Sequence, residues 1–276
     1  MHNAHTSDEN ASNPRISIVT ISYNQVQYLE RSLKSVINQK SKQVEFIVLD
    51  PGSTDGSREI IRKYSDKIDK IIFEPDLGPA DALNKGFALA RGNIFGFLNS
   101  DDVFYPGALS TISSYFSENP EVDVVSGHCF IIDAYDRKVR RMISDKFNLR
   151  AVAYRSCYLA QAATFFRRRK FLKTRGFNIE NRVAWDGEMW VDLAMAGAKF
   201  AVINEILAGY RIHPASITSA GSDHRQLAYA RFIFEKIMQR TENKPDWLFR
   251  VVYRLRRVVT NPRAYMETIV RGPINR

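Results

Sequence analysis

Two adjacent carboxylates, Asp101 and Asp102, follow the apolar run IFGFL in the stretch Asn99-Ser100-Asp101-Asp102. Carboxylates placed together beyond an apolar segment are costly unless water or a cation neutralises them. A hard divalent ion held by one or two carboxylates and completed by substrate phosphates is the arrangement that Mg²⁺ or Mn²⁺ takes. The structural alternative is Asp102 as the cap of the next helix. Further upstream, Asp50-Pro51-Gly52-Ser53-Thr54-Asp55-Gly56-Ser57 follows VEFIVL. Its glycines permit a tight turn, and N–H groups at a helix start can face an anion. No lysine follows to make a GxxxxGK[ST] phosphate loop, and no GxGxxG opens the chain as in a dinucleotide dehydrogenase. Asp81 and Lys85 are four apart, so on a helix they share a face and can pair.

These residues need elements to position them. Ile16 to Ile21, Val44 to Leu49, Lys70 to Phe73 and Ile94 to Leu98 read as strands, and Val122 to Ile132 is strand-like. Helical spacing separates them at Tyr28–Gln39, from Ser57 (as a cap) to about Tyr64, at Pro79–Ala90 and at Pro106–Glu118. Such alternation predicts an α/β fold with a largely parallel sheet covered by helices on both faces. Ligands on these sheets bind beyond the carboxyl ends of the strands, where the residues above fall. After residue 145 the alternation loosens. A helix is expected near Asp186–Ala196, short strands through Phe200–Arg211, and helices between about Asp223 and Arg271.

Composition is that of a soluble globular chain, with 45% apolar and 25% charged residues in 276. No apolar run is long enough to span a bilayer, and residues 1–14 read as a polar, disordered leader rather than a signal. Cys129 and Cys157 are expected as reduced thiols, which makes the cytoplasm the default compartment. The net charge of +10 is unevenly placed, with eight Lys/Arg against three Asp/Glu from residue 241 onward. A basic tail on a balanced body does not suit a nucleic-acid reader.

Four stretches then occur in register: RISIVTISYN from Arg15, DPGSTDGS, EPDLGPADALNKGFALARG and FLNSDD. Together they resemble the family 2 (GT-A fold) glycosyltransferases, over about Arg15 to Thr218. The resemblance implies a GT-A domain at 15–220 with a helical basic extension at 221–276. It implies an inverting, metal-dependent transfer of a sugar from a nucleotide-sugar donor, with a UDP-sugar expected, to a hydroxyl acceptor. A lipid-linked or polysaccharide intermediate of cell-surface glycan synthesis is the acceptor class that fits. Thr20, Ser22, Tyr23 and Asp50 would hold the nucleoside, and Asp81 would help position the donor. NSDD stands where the family has its metal-binding DxD-type motif, with Asn99 replacing the first Asp and leaving Asp101 and Asp102. Pro51 likewise stands where the family often has a second acidic residue.

Trp185-Asp186-Gly187-Glu188-Met189-Trp190 resembles the ED-type motif that supplies the catalytic base, which places Asp186 in that role and Glu188 second. Gly209-Tyr210-Arg211-Ile212-His213-Pro214 matches a stretch near the donor diphosphate, making Arg211 a substrate contact and His213 a metal ligand. Gln161, Thr164 and Phe165 resemble the acceptor-side segment, while Arg167 to Lys170 reads equally as a solvated basic turn. Two rival classes are a nucleotidyltransferase, which needs a Gly-rich basic start where this chain has SYNQ, and a non-catalytic nucleotide-sugar-binding subunit of a polysaccharide-assembly complex. In the extension, Trp247, Leu248, Val251, Val252 and Leu255 recur at roughly helical spacing beside Arg250, Arg254, Arg256 and Arg257, as do Tyr265, Ile269 and Val270 further on. That is the pattern of an in-plane membrane helix, which would put the protein peripherally on the inner face of the plasma membrane. A helix packed on the catalytic domain is the competing reading.

Overall fold

The structure is a computed structural model that describes residues 15–214, 223–243 and 246–272. The expected leader at 1–14 and the boundary at 220/221 lie outside the described residues. The chain runs β1 (Ile16–Ile21), α1 (Val26–Ile37), β2 (Val44–Leu49), α2 (Ser57–Lys63), β3 (Lys70–Ile72), α3 (Pro79–Leu89), β4 (Ile94–Asn99), β5 (Val103–Phe104) and α4 (Ala108–Glu118). It continues through β6 (Val124–Ile132), β7 (Lys138–Met142), α5 (Leu149–Ala153), β8 (Thr164–Arg167), α6 (Arg168–Phe171), α7 (Trp185–Met195) and β9 (Phe200–Arg211). Three helices follow: α8 (Asp223–Met238), α9 (Asp246–Thr260) and α10 (Pro262–Arg271).

Among the described residues all nine strands join one sheet in the order β3-β2-β1-β4-β8-β6-β9-β5, with β7 on β6. β3, β2, β1 and β4 are mutually parallel, so their carboxyl ends open side by side. β8 runs antiparallel between β4 and β6, and β9 is parallel to β6. The sheet is therefore mostly parallel and helix-covered, as expected of the GT-A type. Every residue of β2 is buried, because both sheet faces are covered. Even Glu45 is enclosed there, taking the Ser17 hydroxyl (2.5 Å), the Arg91 N–H (2.7 Å) and the Arg91 guanidinium (3.0 Å). Burial pushes the Glu45 carboxyl up, but these donors outweigh it and hold it below the usual range. Gly86 lets α3 lie close on the sheet, since a Cβ there would stand 2.6 Å from Val19.

Three features depart from the sequence reading. β8 is only four residues long and β5 two, too short to carry a periodic signal. Phe200–Arg211 is a single strand of 12 residues rather than several short ones. Its exposed Asn204 and Glu205 resemble a break, yet they sit where the register with β6 shifts and the ladder then resumes. Ser57 does not cap α2: Gly56 precedes the helix with φ 100°, and the Ser57 hydroxyl instead accepts the Gln25 N–H. Both cysteines are free and buried.

Candidate active site

The four parallel strands deliver four loops to one crevice, and Asp55 and Asn24 lock two of them together. Asp55 accepts the Val26 N–H (2.9 Å) and thereby caps α1 from the neighbouring loop. Asn24, in a left-handed conformation (φ 51°), accepts the Thr54 N–H (2.9 Å) and donates its own N–H to the Ser53 hydroxyl (2.8 Å). The crevice is a cavity of about 730 Å³, within the range of small-ligand sites. Ser22 and Tyr23 from β1, Pro51 and Gly52 from β2, Asp76 after β3, and Asn99 to Asp101 from β4 form one wall. Gln161, Trp185, Asp186 and Tyr210, from the second half of the chain, make up a second wall, joined to the first where Asn99 donates to Gln161.

Several predicted residues are engaged in building this wall. Asp50 is buried, and its Oδ1 accepts the N–H groups of Gly52 (3.1 Å) and Ser53 (2.8 Å) and Arg58 Nε–H (3.1 Å). Its Oδ2 accepts the Ser53 hydroxyl (2.6 Å), so the carboxylate shapes the turn whose Pro51 and Gly52 face the cavity. Thr20 is buried within β1, whereas Tyr23 is 61% exposed at the rim. Asp81 accepts the Leu77 N–H (2.9 Å) at the start of α3 and pairs with Lys85 (3.0 Å). The Leu77 N–H and the Lys85 ammonium hold its carboxyl below the ordinary range. Arg211 is buried and braces the floor: its N–H and Nε–H meet Asp102 Oδ1 (2.8 Å) and the Asp101 carbonyl (2.6 Å), and its other nitrogens meet Asp133 and Asp136. Arg167 and Arg169 bond carbonyls and Asp123, so that basic run is structural. Thr164 and Phe165 are buried in β8, away from the cavity wall.

The paired carboxylates point different ways. Asp101 reaches the cavity, and its Oδ2 lies 3.1 Å from His213 Nε2. Asp102 turns to the core, where burial and the neighbouring Asp101 push its carboxyl up and its Oδ2 has no partner among the described residues. His213 is buried against the Tyr28 ring at 4.6 Å. Asn99 donates to Gln161 Oε1 (3.3 Å), and Gln161 donates on to the Phe97 carbonyl (3.3 Å), which fixes both amides beside the cavity.

On the second wall, Asp186 stands in the first turn of α7. Burial raises its carboxyl above the ordinary Asp range, the Gly187 N–H opposes that, and among the described residues it has no ion-pair partner. Glu188 differs: its oxygens are taken by Asn178 (3.1 Å), Asn181 (2.9 Å) and Lys236 (2.8 Å). The absence of a side chain at Gly187 lets Tyr229 of α8 approach, since a Cβ there would stand 2.7 Å from its hydroxyl. The Asp186 charge adds to the burial that raises the Tyr229 hydroxyl. Asp76 is a charged cavity residue that the sequence reading did not single out. Burial raises its carboxyl against the pull of the Gly78 N–H. Its position just beyond β3, matching Asp101 beyond β4, was the available signal.

The order of strands and the crevice at their carboxyl ends are those of the GT-A type. The chain belongs to glycosyl transferase family 2, whose model matches residues 17–176, more than half of its length. An uncharacterised glycosyltransferase of Nostoc sp. is 30% identical over 268 residues, covering 92% of this chain and 82% of that protein. The fold is similar to that of S. aureus TarS 1–349 in complex with UDP-GlcNAc, with TM-score 0.67 at 15% identity over 93% of this chain and 73% of that one. It is also similar to the mannosyltransferase PcManGT from Pyrobaculum calidifontis in complex with GDP-Man and Mn²⁺, with TM-score 0.63 at 18% identity over 94% and 74% of the two chains.

Proposed function

We propose that this glycosyltransferase moves a sugar from a UDP-sugar to a hydroxyl acceptor with inversion, and that Asp186 is its base. The observation that carries the reading is the half-buried Asp186, without an ion-pair partner among the described residues, lining the same cavity as Asp101, which in turn meets His213. A carboxyl raised by burial is suited to accept a proton near neutral pH. The acceptor hydroxyl gives its proton to Asp186 as its oxygen attacks the anomeric carbon, and the bond from that carbon to the diphosphate oxygen breaks. One displacement inverts the centre and needs no covalent intermediate.

Donor contacts follow from which groups line the wall. Ser22, Tyr23 and the Pro51–Gly52 backbone would meet the nucleoside, with Asp50, Asp81 and Arg211 acting by holding that wall in shape. Asp101 and His213 would hold a divalent cation, whose charge would stabilise the leaving diphosphate. The donor set fits: an oxygen and a nitrogen ligand suit Mn²⁺ better than Mg²⁺. Among the described residues no third His, Cys, Asp or Glu joins them, which leaves positions for phosphate oxygens and water. The UDP-GlcNAc of TarS and the GDP-Man with Mn²⁺ of PcManGT support a nucleotide-sugar and a metal of this kind. A lipid-linked or polysaccharide acceptor of cell-surface glycan synthesis suits an enzyme with a basic, apolar extension.

The test is a panel of nucleotide sugars with Mn²⁺, read by donor turnover and by the anomeric configuration of the product. A UDP-sugar consumed with inversion is expected. Retention would remove Asp186 as the base of a single displacement, and binding without turnover of any donor would favour the non-catalytic subunit.

A further inference from the structure

Helix α9 faces the wrong way for an amphipathic helix packed on a globular body. Such a helix normally buries its apolar stripe and solvates its charges. Here the inward face is polar and aromatic: Arg257 pairs with Asp145 (2.9 Å), Arg250 with Glu242, and Tyr253 stacks on Tyr154 at 5.1 Å. The apolar stripe points to solvent. Trp247 (59%), Val251 (43%), Leu255 (62%) and Val259 (81%) are exposed at intervals of four, with Leu248 and Val252 beside them. α10 adds exposed Met266, Ile269 and Val270.

The charges around this surface have one sign. Arg254, Arg256, Arg263 and Arg271 are exposed and have no ion-pair partner among the described residues. The carboxylates of the two helices are engaged, Asp246 with Arg240 (2.7 Å) and Glu267 with the Arg141 N–H (3.4 Å). No helix among the described residues is long and apolar enough to cross a membrane. An apolar stripe edged by arginines that no carboxylate among the described residues neutralises, on a chain of net charge +10, fits an apolar layer beneath an anionic one.

We infer that α9 and α10 dock the protein on an anionic phospholipid bilayer, α9 lying in the interfacial plane. Its stripe enters the acyl boundary, and Arg254 and Arg256 meet the phosphates. This attachment stands apart from the transfer chemistry, so it can fail while Asp186 remains the base. The full chain is sedimented with vesicles of phosphatidylcholine alone or with phosphatidylglycerol added. Recovery with the anionic vesicles, weakened by salt, is expected. Replacing Arg254 and Arg256 by Glu should lower partitioning by about fivefold each or more. Val252→Glu with Leu255→Glu should abolish it, while circular dichroism and donor turnover stay unchanged because both side chains are exposed. Equal recovery of wild type and the Val252/Leu255 variant would overturn the inference. So would a lipid-free dimer that this variant dissociates, without vesicle binding by wild type, since the stripe would then be an interface between copies.

Discussion

The two walls of the cavity use charge in opposite ways. On the wall of parallel strand ends, Asp50, Asp81, Asp102 and Arg211 are each bonded to loop backbone or to a neighbouring side chain. On the second wall, Asp186 has no cationic partner among the described residues, while Glu188 two residues on is fully bonded. The first wall is a preorganised mould that presents backbone and few free groups, which suits binding without rearrangement. On the second, burial raises Asp186 as it raises Asp76 and Asp102 on the first, but with no lysine or arginine opposing it among the described residues, which increases its basicity at a cost in stability.

The largest effect should come from removing that one group. Asp186→Asn should lower turnover by about 10³-fold, within the range of general-base catalysis, and leave donor affinity unchanged. The wild-type rate should fall in acid along a limb set above the ordinary Asp range, because burial raises this carboxyl. Stability should move the other way. The folded protein retains a proton on Asp186 at pH values where the unfolded chain has released it, so stability declines as pH rises through the interval between the two pKa values. Asparagine carries no such penalty, so the variant should melt higher than wild type at pH 8 and lose that advantage below the unfolded value. A lower melting temperature at pH 8 would contradict a desolvated, unpaired Asp186.

Next come the groups proposed to hold the cation. Asp101→Ala and His213→Ala should each reduce turnover by about 10²-fold and weaken Mn²⁺-dependent donor binding, seen by calorimetry. Excess chelator should reproduce the loss in wild type and add nothing to either variant. Full transfer in chelator would leave the pair a simple hydrogen bond.

The wall itself is tested by Asp50→Ala. It strips partners from two backbone N–H groups and from Arg58, which should cost about 3 kcal/mol of stability. Donor KM should rise through the distorted turn while the acid limb set by Asp186 stays in place. A stable variant with normal KM would show that the turn holds without its carboxylate.

The contrast between the walls also marks what the sequence could convey. Strands β1 to β4 and the helices between them were legible because each is a periodic or continuously apolar run closed by turn residues. The second wall was not, since β8 is four residues long and β9 hides behind polar Asn204 and Glu205. Asp101, Asp186, Ser22, Tyr23 and Gln161, read from motif position, all line the cavity. It could not tell a ligand from a brace, because Asp50 and Arg211 differ from free groups only in what surrounds them after folding. Asp102 is the clearest instance: a one-residue step along the chain turns its side chain from cavity to core.

The smallest expected effect is the one that discriminates best between neighbouring acids. Glu188→Gln keeps the shape of the side chain, but it removes the charge facing Lys236 and leaves one amide NH2 that cannot accept where Asn178, Asn181 and Lys236 now donate to both oxygens. Lys236 retains Asp192 at 2.6 Å, so the ammonium is not left alone. The weakened charge-assisted contact and the lost acceptor should cost about 1.5 kcal/mol or more, seen as a modest fall in melting temperature with turnover within about twofold of wild type. Because α8 reaches α7 through this lysine, the loss should also loosen Tyr229 over Gly187, and any change in rate should enter there rather than through proton transfer. The pH profile separates the two routes, since a positioning effect scales the whole profile while loss of a base removes its acid limb. A 10³-fold loss with the melting temperature unchanged would move the base from Asp186 to Glu188, and the division between the bonded wall and the free acid would have to be drawn again.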